Sequence, residues 1–204
     1  MLGSSIYPAA YGSTEVSSAV ETAERPTGWW ALGLMRILIG VLWWTQLLWK
    51  KPRDFGSPGG CPTSLRARGL TGLCDWLHRE ALHPMRPTFF GHTFTINAYA
   101  DFVKNTVIPH FNTFGWIAVG IETFITASLV LGLFGRLGGL VGTLWALNLL
   151  VGLWSVPGAW YWTYVMLAAL NLIFFATCAG RYLGLDGFLT RAEGRLGSFF
   201  RFLG

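Results

Sequence analysis

Long apolar runs alternate along the chain with turn-rich, charged segments. The first run, 29–49, reads WWALGLMRILIGVLWWTQLLW, and comparable runs cover about 112–134, 137–156 and 160–179. About twenty residues at roughly 1.5 Å rise cross the hydrocarbon core of a bilayer. These runs are apolar around the whole helical circumference instead of carrying one stripe, which suits a helix with lipid as its solvent. None of the nine prolines falls inside a run. The second and third runs are joined by little more than Gly135-Arg136, and the third and fourth by Pro157-Gly158-Ala159. Links this short force antiparallel neighbours. The expected fold is an all-α membrane protein: a four-transmembrane-helix bundle in one domain over 29–189.

The remaining segments have their own patterns. Segment 50–111 is a long extramembrane loop that opens on KKPRDFGSPGGCP, a Pro/Gly-rich turn region. Within it, 70–82 places Leu73, Trp76 and Leu77 on one face with Asp75, Arg79 and Glu80 opposite, which predicts a short amphipathic helix. A second short helix is expected over 98–108, stopped by Pro109. The polar tail 1–28 lacks a basic stretch leading into a short apolar core, so it does not read as a cleaved signal, and alone it should be disordered. Segment 190–204 alternates basic and apolar residues, the pattern of a C-terminal interfacial helix.

Composition strengthens the membrane reading. Charged residues make up 12% of the chain, about half the share of a soluble domain. Tryptophans gather at the ends of the runs, as in an interfacial belt. The net charge of +5 sits in the loops and the C-terminal segment, beside no nucleic-acid motif. The lipid bilayer, not nucleic acid, is therefore the expected partner. Of the two short links, one carries Arg136 and the other no charge. The basic residues near the run ends do not favour either side, but by the positive-inside rule these links place both termini in the cytoplasm and 50–111 outside; the expected location is the inner membrane of a bacterium or archaeon.

Candidate chemistry is sparse. Cys61, Cys74 and Cys178 show no metal, haem or iron–sulfur spacing, so no metal is expected. Cys61 and Cys74 share the long loop; they form a disulfide if it faces an oxidising compartment and otherwise stay free thiols. No histidine lies in a run, but His110 sits at the mouth of the second, either as an ordinary interfacial histidine or as a proton relay. Two formal charges lie inside the runs, Arg36 and Glu122. Each is costly in lipid unless paired. Glu122 is near the centre of its run, and Arg36 lies on the order of 5 Å from the centre of its own. Asn148 and Asn171 fall within roughly 3 Å of the middle of the last two runs. Facing inward, these four would form one buried network.

Arg36, Trp43 and Lys50 recur at intervals of seven, so they share a stripe, with Gln46 beside it; Tyr164, Asn171 and Cys178 form a similar stripe. Two uses fit these residues. An Arg–Glu pair with two amides can simply hold helices in register. Alternatively, Trp43, Trp44, Trp145 and Tyr164 can line a slot for a quinone ring, with Gln46, Asn148 and Asn171 supplying polar contacts. The basic excess of the loop, from Lys50, Lys51, Arg53, Arg66 and Arg68 onward, suits either a small oxyanion or a solvated, lipid-facing surface.

Several segments together resemble a known family. They are MRILIG with Arg36 and Gly40, TQLLWK, GIETF with Glu122, LVLGLFGRLGGL, LNLLVGLWSVPGAWYWTY and AGRYLGLDGFL. In order and spacing the chain resembles the DoxX-like membrane proteins, most closely the DoxD type, the small subunit of thiosulfate:quinone oxidoreductase, over roughly 29–189. The resemblance implies four membrane helices with cytoplasmic termini, oxidation of thiosulfate to tetrathionate and reduction of quinone. On that reading Arg36 and Glu122 form the core pair, Asn148 and Asn171 complete the polar site, and His110 or the basic loop meets substrate. No flavin, haem or metal motif accompanies it. The competing expectation is a non-catalytic accessory subunit of a larger respiratory or photosynthetic membrane complex.

Overall fold

A computed structural model describes residues 28–64, 68–86, 88–89, 92–93, 95–154 and 156–191. The tail before residue 28, Arg66 and the expected C-terminal interfacial helix lie largely or wholly outside the described residues. The elements in chain order are α1 (Trp29–Leu47), α2 (Gly72–Trp76), β1 (Thr88–Phe89), β2 (His92–Thr93), α3 (Ala98–Phe102), α4 (Phe111–Leu131), α5 (Gly135–Leu153), α6 (Tyr161–Thr177) and α7 (Asp186–Leu189). α2 and α3 each continue into a π-helical turn, Leu77–Ala81 and Val103–Val107. Apart from the two-residue antiparallel ladder of β1 and β2, the regular structure among the described residues is helical.

Among the described residues, three helices are long and apolar enough to cross a membrane: α1 with 19 residues, α4 with 21 and α5 with 19. α6 is apolar and shorter, with 17 residues. Their outward faces expose large apolar side chains, including Leu38, Leu144 and Met166. Water would make such faces an aggregation hazard, and a lipid bilayer is the solvent that suits them.

The long helices pack in the order α1, α4, α5, α6, each on the next. α5 and α6 approach most closely because Gly139 lacks a side chain. A Cβ there would stand 2.7 Å from the backbone nitrogen of Phe175 and 2.8 Å from the carbonyl oxygen of Asn171. Both obstacles are backbone, so the helices must part to admit a methyl group. Gly139→Ala is expected to cost about 1–3 kcal/mol. Thermal denaturation of the detergent-solubilised protein reads this, and an unchanged midpoint would contradict the close approach. α1 meets α4 in the same manner at Gly40, where a Cβ would crowd Leu129 and Val130.

Two apolar cores result. One lies between the long helices and includes Trp43, Ile125, Leu129, Ala146 and Phe174. The other belongs to the cap formed by segment 50–110 and includes Phe55, Leu73, Leu77, Val103 and Ile108. Phe55 locks the cap onto α4. Its ring meets Phe111 and Trp116 edge-on, with centroids 5.7 and 5.6 Å away, and fills the space left free at Gly115.

Cys61 and Cys74 are joined in a disulfide with a Cα–Cα distance of 5.3 Å, which ties the turn-rich start of the cap to α2. Closing a loop of this length restricts the unfolded chain by about 3 kcal/mol. Reduction should therefore lower the thermal midpoint of the protein, and a midpoint insensitive to reductant would show that the bridge contributes nothing.

Candidate functional site

Buried charge collects at two separate places. The first is the corner between α4 and α5. Gly132 turns the chain there with φ +64°, a left-handed conformation suited to glycine. The end of α4 leaves carbonyls without intrahelical donors, and the start of α5 leaves N–H groups without acceptors. Arg36 of α1 serves the former: its guanidinium donates to the carbonyl of Leu129, and to those of Leu183 at 3.0 Å and Tyr182 at 3.3 Å. Asp186 serves the latter, accepting from the N–H groups of Phe134 at 2.9 Å and Gly135 at 2.7 Å. Cation and anion thus sit at the helix ends whose dipoles favour them. Burial pushes the Asp186 carboxyl above the ordinary aspartate range, and the Gly135 and Phe134 N–H groups, followed by Arg36 and Arg181, pull it back. The Ser128 hydroxyl reaches the carbonyls of Leu133 and Phe134 at 2.8 and 2.9 Å, donating to one at a time.

The second place is the opposite end of the helices, under the cap. Glu122 is 1% exposed and Lys50 6%. Lys50 Nζ donates to Glu122 Oε1 at 2.5 Å, and Trp145 Nε1 donates to the same oxygen at 3.2 Å. Glu122 Oε2 is buried and makes no hydrogen bond. The Lys50 ammonium also lies 4.6 Å from the centre of the Trp49 ring. Burial lowers the Lys50 pKa, and the Glu122 carboxylate works against that.

This ion pair borders a cavity of about 300 Å³ between the helices and the cap. Its wall is mainly apolar and rich in tryptophan, with Trp43, Trp49, Trp76 and Trp145 all contributing. Its polar lining includes Lys50, Glu122, Gln46, Asn148, Tyr99 and Tyr164. Burial raises the pKa of the Tyr99 phenol, and the Asn148 side chain works against that.

The expected four-residue network does not form. Arg36 and Glu122 are both buried, but they do not pair. Leu129, which Arg36 reaches, lies seven residues beyond Glu122 on α4, about 10 Å away along the helix. Arginine's long side chain extends to the nearest helix end, where bare carbonyls and Asp186 wait, instead of crossing the apolar middle. Asn171 is buried but lies outside the cavity: its Nδ2 donates to Leu167 O at 2.8 Å, and its Oδ1 packs where Gly142 has no side chain. His110 is exposed, contacts Thr106 O at 3.0 Å and does not line the cavity. Trp44 points outward, 51% exposed. Trp43, Gln46, Asn148, Tyr164 and Trp145 do meet around Glu122.

Two functional residues went unrecognised in the sequence. Lys50 continues the Arg36–Trp43 stripe, but it follows the last apolar residue, where the pattern points to a loop charge. Asp186 lies after the last apolar run, where no local pattern marks it as a helix cap.

The basic residues of the loop do not converge among the described residues. Lys50 is taken by Glu122, and Arg79 faces Asp75 at 3.4 Å. An open depression on the cap sets Lys51 among Asp54, Asp75 and Glu80, a poor receptor for an oxyanion. Cys61, Cys74 and His78 offer ligand atoms within 4.8 Å of one another, but the two sulfurs are committed to the disulfide. Comparison with protein-family models, curated proteins and solved structures gives no match.

Proposed function

We propose that the chain is a four-span membrane protein of the DoxD type that binds a lipophilic ring molecule of the quinone class beside Lys50 and Glu122, as the membrane subunit of a quinone-linked oxidoreductase. One observation carries this reading: a largely apolar cavity of about 300 Å³ whose lining includes the buried Lys50–Glu122 pair, with one carboxylate oxygen of Glu122 making no hydrogen bond. Small-molecule sites are mostly apolar pockets of about 300–1,000 Å³ with a few polar groups placed for orientation. The residues fit a ring with oxygen substituents. Tryptophans offer flat walls, and Tyr99, Asn148 and Glu122 offer hydrogen bonds.

A bound quinone supplies a two-electron, two-proton acceptor. The chain's own part is to orient the ring and exclude water, while Lys50 and Trp145 hold Glu122 Oε1. Thiosulfate as the electron donor comes from the resemblance alone, and the cavity reading does not need it. The Cys61–Cys74 disulfide favours an oxidising compartment around the cap. That agrees with termini and Arg136 on the cytoplasmic side.

The accessory-subunit reading draws support from the α4–α5 corner, where Arg36 serves backbone carbonyls and Asp186 serves helix N–H groups, as a structural clasp would. Ligand binding separates the two. The purified chain in lipid nanodiscs should retain extractable quinone, and decylbenzoquinone should quench its tryptophan fluorescence saturably. Tyr99→Phe with Asn148→Leu should weaken that binding about tenfold, the equivalent of 1.4 kcal/mol. No extractable quinone and no saturable quenching would leave the accessory subunit standing.

A further inference from the structure

We infer that the ligand reaches this cavity sideways from the bilayer, through an opening between α1 and α6, and that it carries an apolar tail lying in that opening. The inference rests on the cavity reading above and adds the route and the tail.

The row of helices does not close on itself. α1 packs on α4, α4 on α5 and α5 on α6, but α6 barely touches α1 along its length. The two are held together at one end only. There the Ala179–Arg181 turn abuts both helices, Arg36 binds the Tyr182 and Leu183 carbonyls, and the Trp29 and Tyr182 rings stack with centroids 4.8 Å apart. α1 runs away from this pinned end and α6 runs back toward it. The late residues of α1 and the early residues of α6 therefore stand at the free end.

Those residues line the cavity. α1 and the residues just after it contribute Leu42, Gln46 and Trp49, and α6 contributes Thr163, Tyr164 and Leu167. Leu42, Gln46 and Thr163 are also exposed at the surface, so the cavity wall and the protein's outer face are continuous there. On the helical wheel Leu42 and Gln46 lie roughly 200–240° from Gly40, the residue facing α4. They point to the side where α1 has no neighbour. The water side is roofed by the cap, with Leu73, Trp76, Leu77 and Val103 over the cavity. The neighbouring outer surface is apolar, with Leu38 and Met166 more than half exposed. A ring dissolved in the membrane finds an apolar mouth, whereas a polar solute from water finds none. A tail left in the gap would occupy the space that helix contact leaves unfilled.

Stopped-flow quenching of tryptophan fluorescence in nanodiscs tests this, with decylbenzoquinone and a tail-less dimethoxymethylbenzoquinone as probes. After correction for membrane partitioning, the wild type should still bind the decyl ring at least about tenfold more tightly, the equivalent of 1.4 kcal/mol, because a tail in the gap makes contacts that the separated helices leave unmade. Leu42→Phe with Thr163→Phe, at exposed positions, should slow decyl-ring association about tenfold by narrowing the gap. Leu144→Phe, outward on α5, serves as the inert comparison. Equal affinity for both rings, after correction for partitioning, would overturn the tail. Slowing by Ile117→Phe on the opposite rim, with none from the Leu42/Thr163 pair, would overturn the route. Quenching by neither probe in the wild type removes the cavity reading itself, an outcome distinct from intact binding with an unaffected rate.

Discussion

Lys50→Met will destabilise the protein far more than removal of a loop lysine should. The change leaves the Glu122 carboxylate 1% exposed, with Trp145 as its remaining hydrogen-bond donor. Breaking a buried pair by removing one partner costs about 3–5 kcal/mol, much of it the burial of the charge left behind. For a chain of this length that corresponds to a drop in thermal midpoint on the order of 10 °C. Glu122→Gln strands the Lys50 ammonium and should cost a similar amount. The double variant, Lys50→Met with Glu122→Gln, should recover most of the loss, because no lone charge remains. Near-additive single effects in this cycle would show that the two side chains are not coupled. The double variant should still fail to bind the quinone probe, which separates the pair's role in the cavity from its role in stability.

The other large effect is expected at Arg36. Arg36→Leu removes the donor for three carbonyls, those of Leu129, Tyr182 and Leu183, and takes from Asp186 the first of its two nearby cations, Arg36 and Arg181. Several buried acceptors and a carboxylate go short together, at a cost of about 3–5 kcal/mol. Arg36→Lys should rescue little. An ammonium is a compact charge, whereas the planar guanidinium spreads its donors across acceptors on two segments. Hydrogen exchange should rise in 182–186 in both variants, because Arg36 anchors that segment to α1. Native protection there in Arg36→Leu, or wild-type stability in Arg36→Lys, would remove the clasp as a stabilising device.

The long helices were legible because twenty-residue apolar runs have few other uses. Their ends were less so. The first run extends to Trp49 but α1 stops at Leu47, and α5 begins at Gly135, two residues before the expected third run. Arg36 and Glu122 were readable as buried groups, since charge in an apolar run must be satisfied inside. Their partners were not. Depth counted along the backbone places a charge at its Cα, and an arginine or lysine delivers it several ångströms away. Lys50 shows the same effect from the other side: a residue beyond the apolar run reaches back into the core. Asn171 looked like a ligand for the reason Asn148 did, a polar side chain at mid-depth. What distinguishes them is which neighbour lacks a side chain, and Gly142 on α5 receives Asn171. The cap's short helices were visible as amphipathic, but not that Leu73, Trp76 and Leu77 would roof a cavity.

The clasp also orders events in time. Arg36 waits for carbonyls 146 and 147 residues downstream, on a segment that follows all the long helices. α1 can pack on α4 as soon as that helix is made, but its link to the far side of the row comes last. Until residues 182 and 183 have been made, nothing fastens α1 to the turn after α6, and the side of the protein where the ligand is proposed to pass stays unlatched.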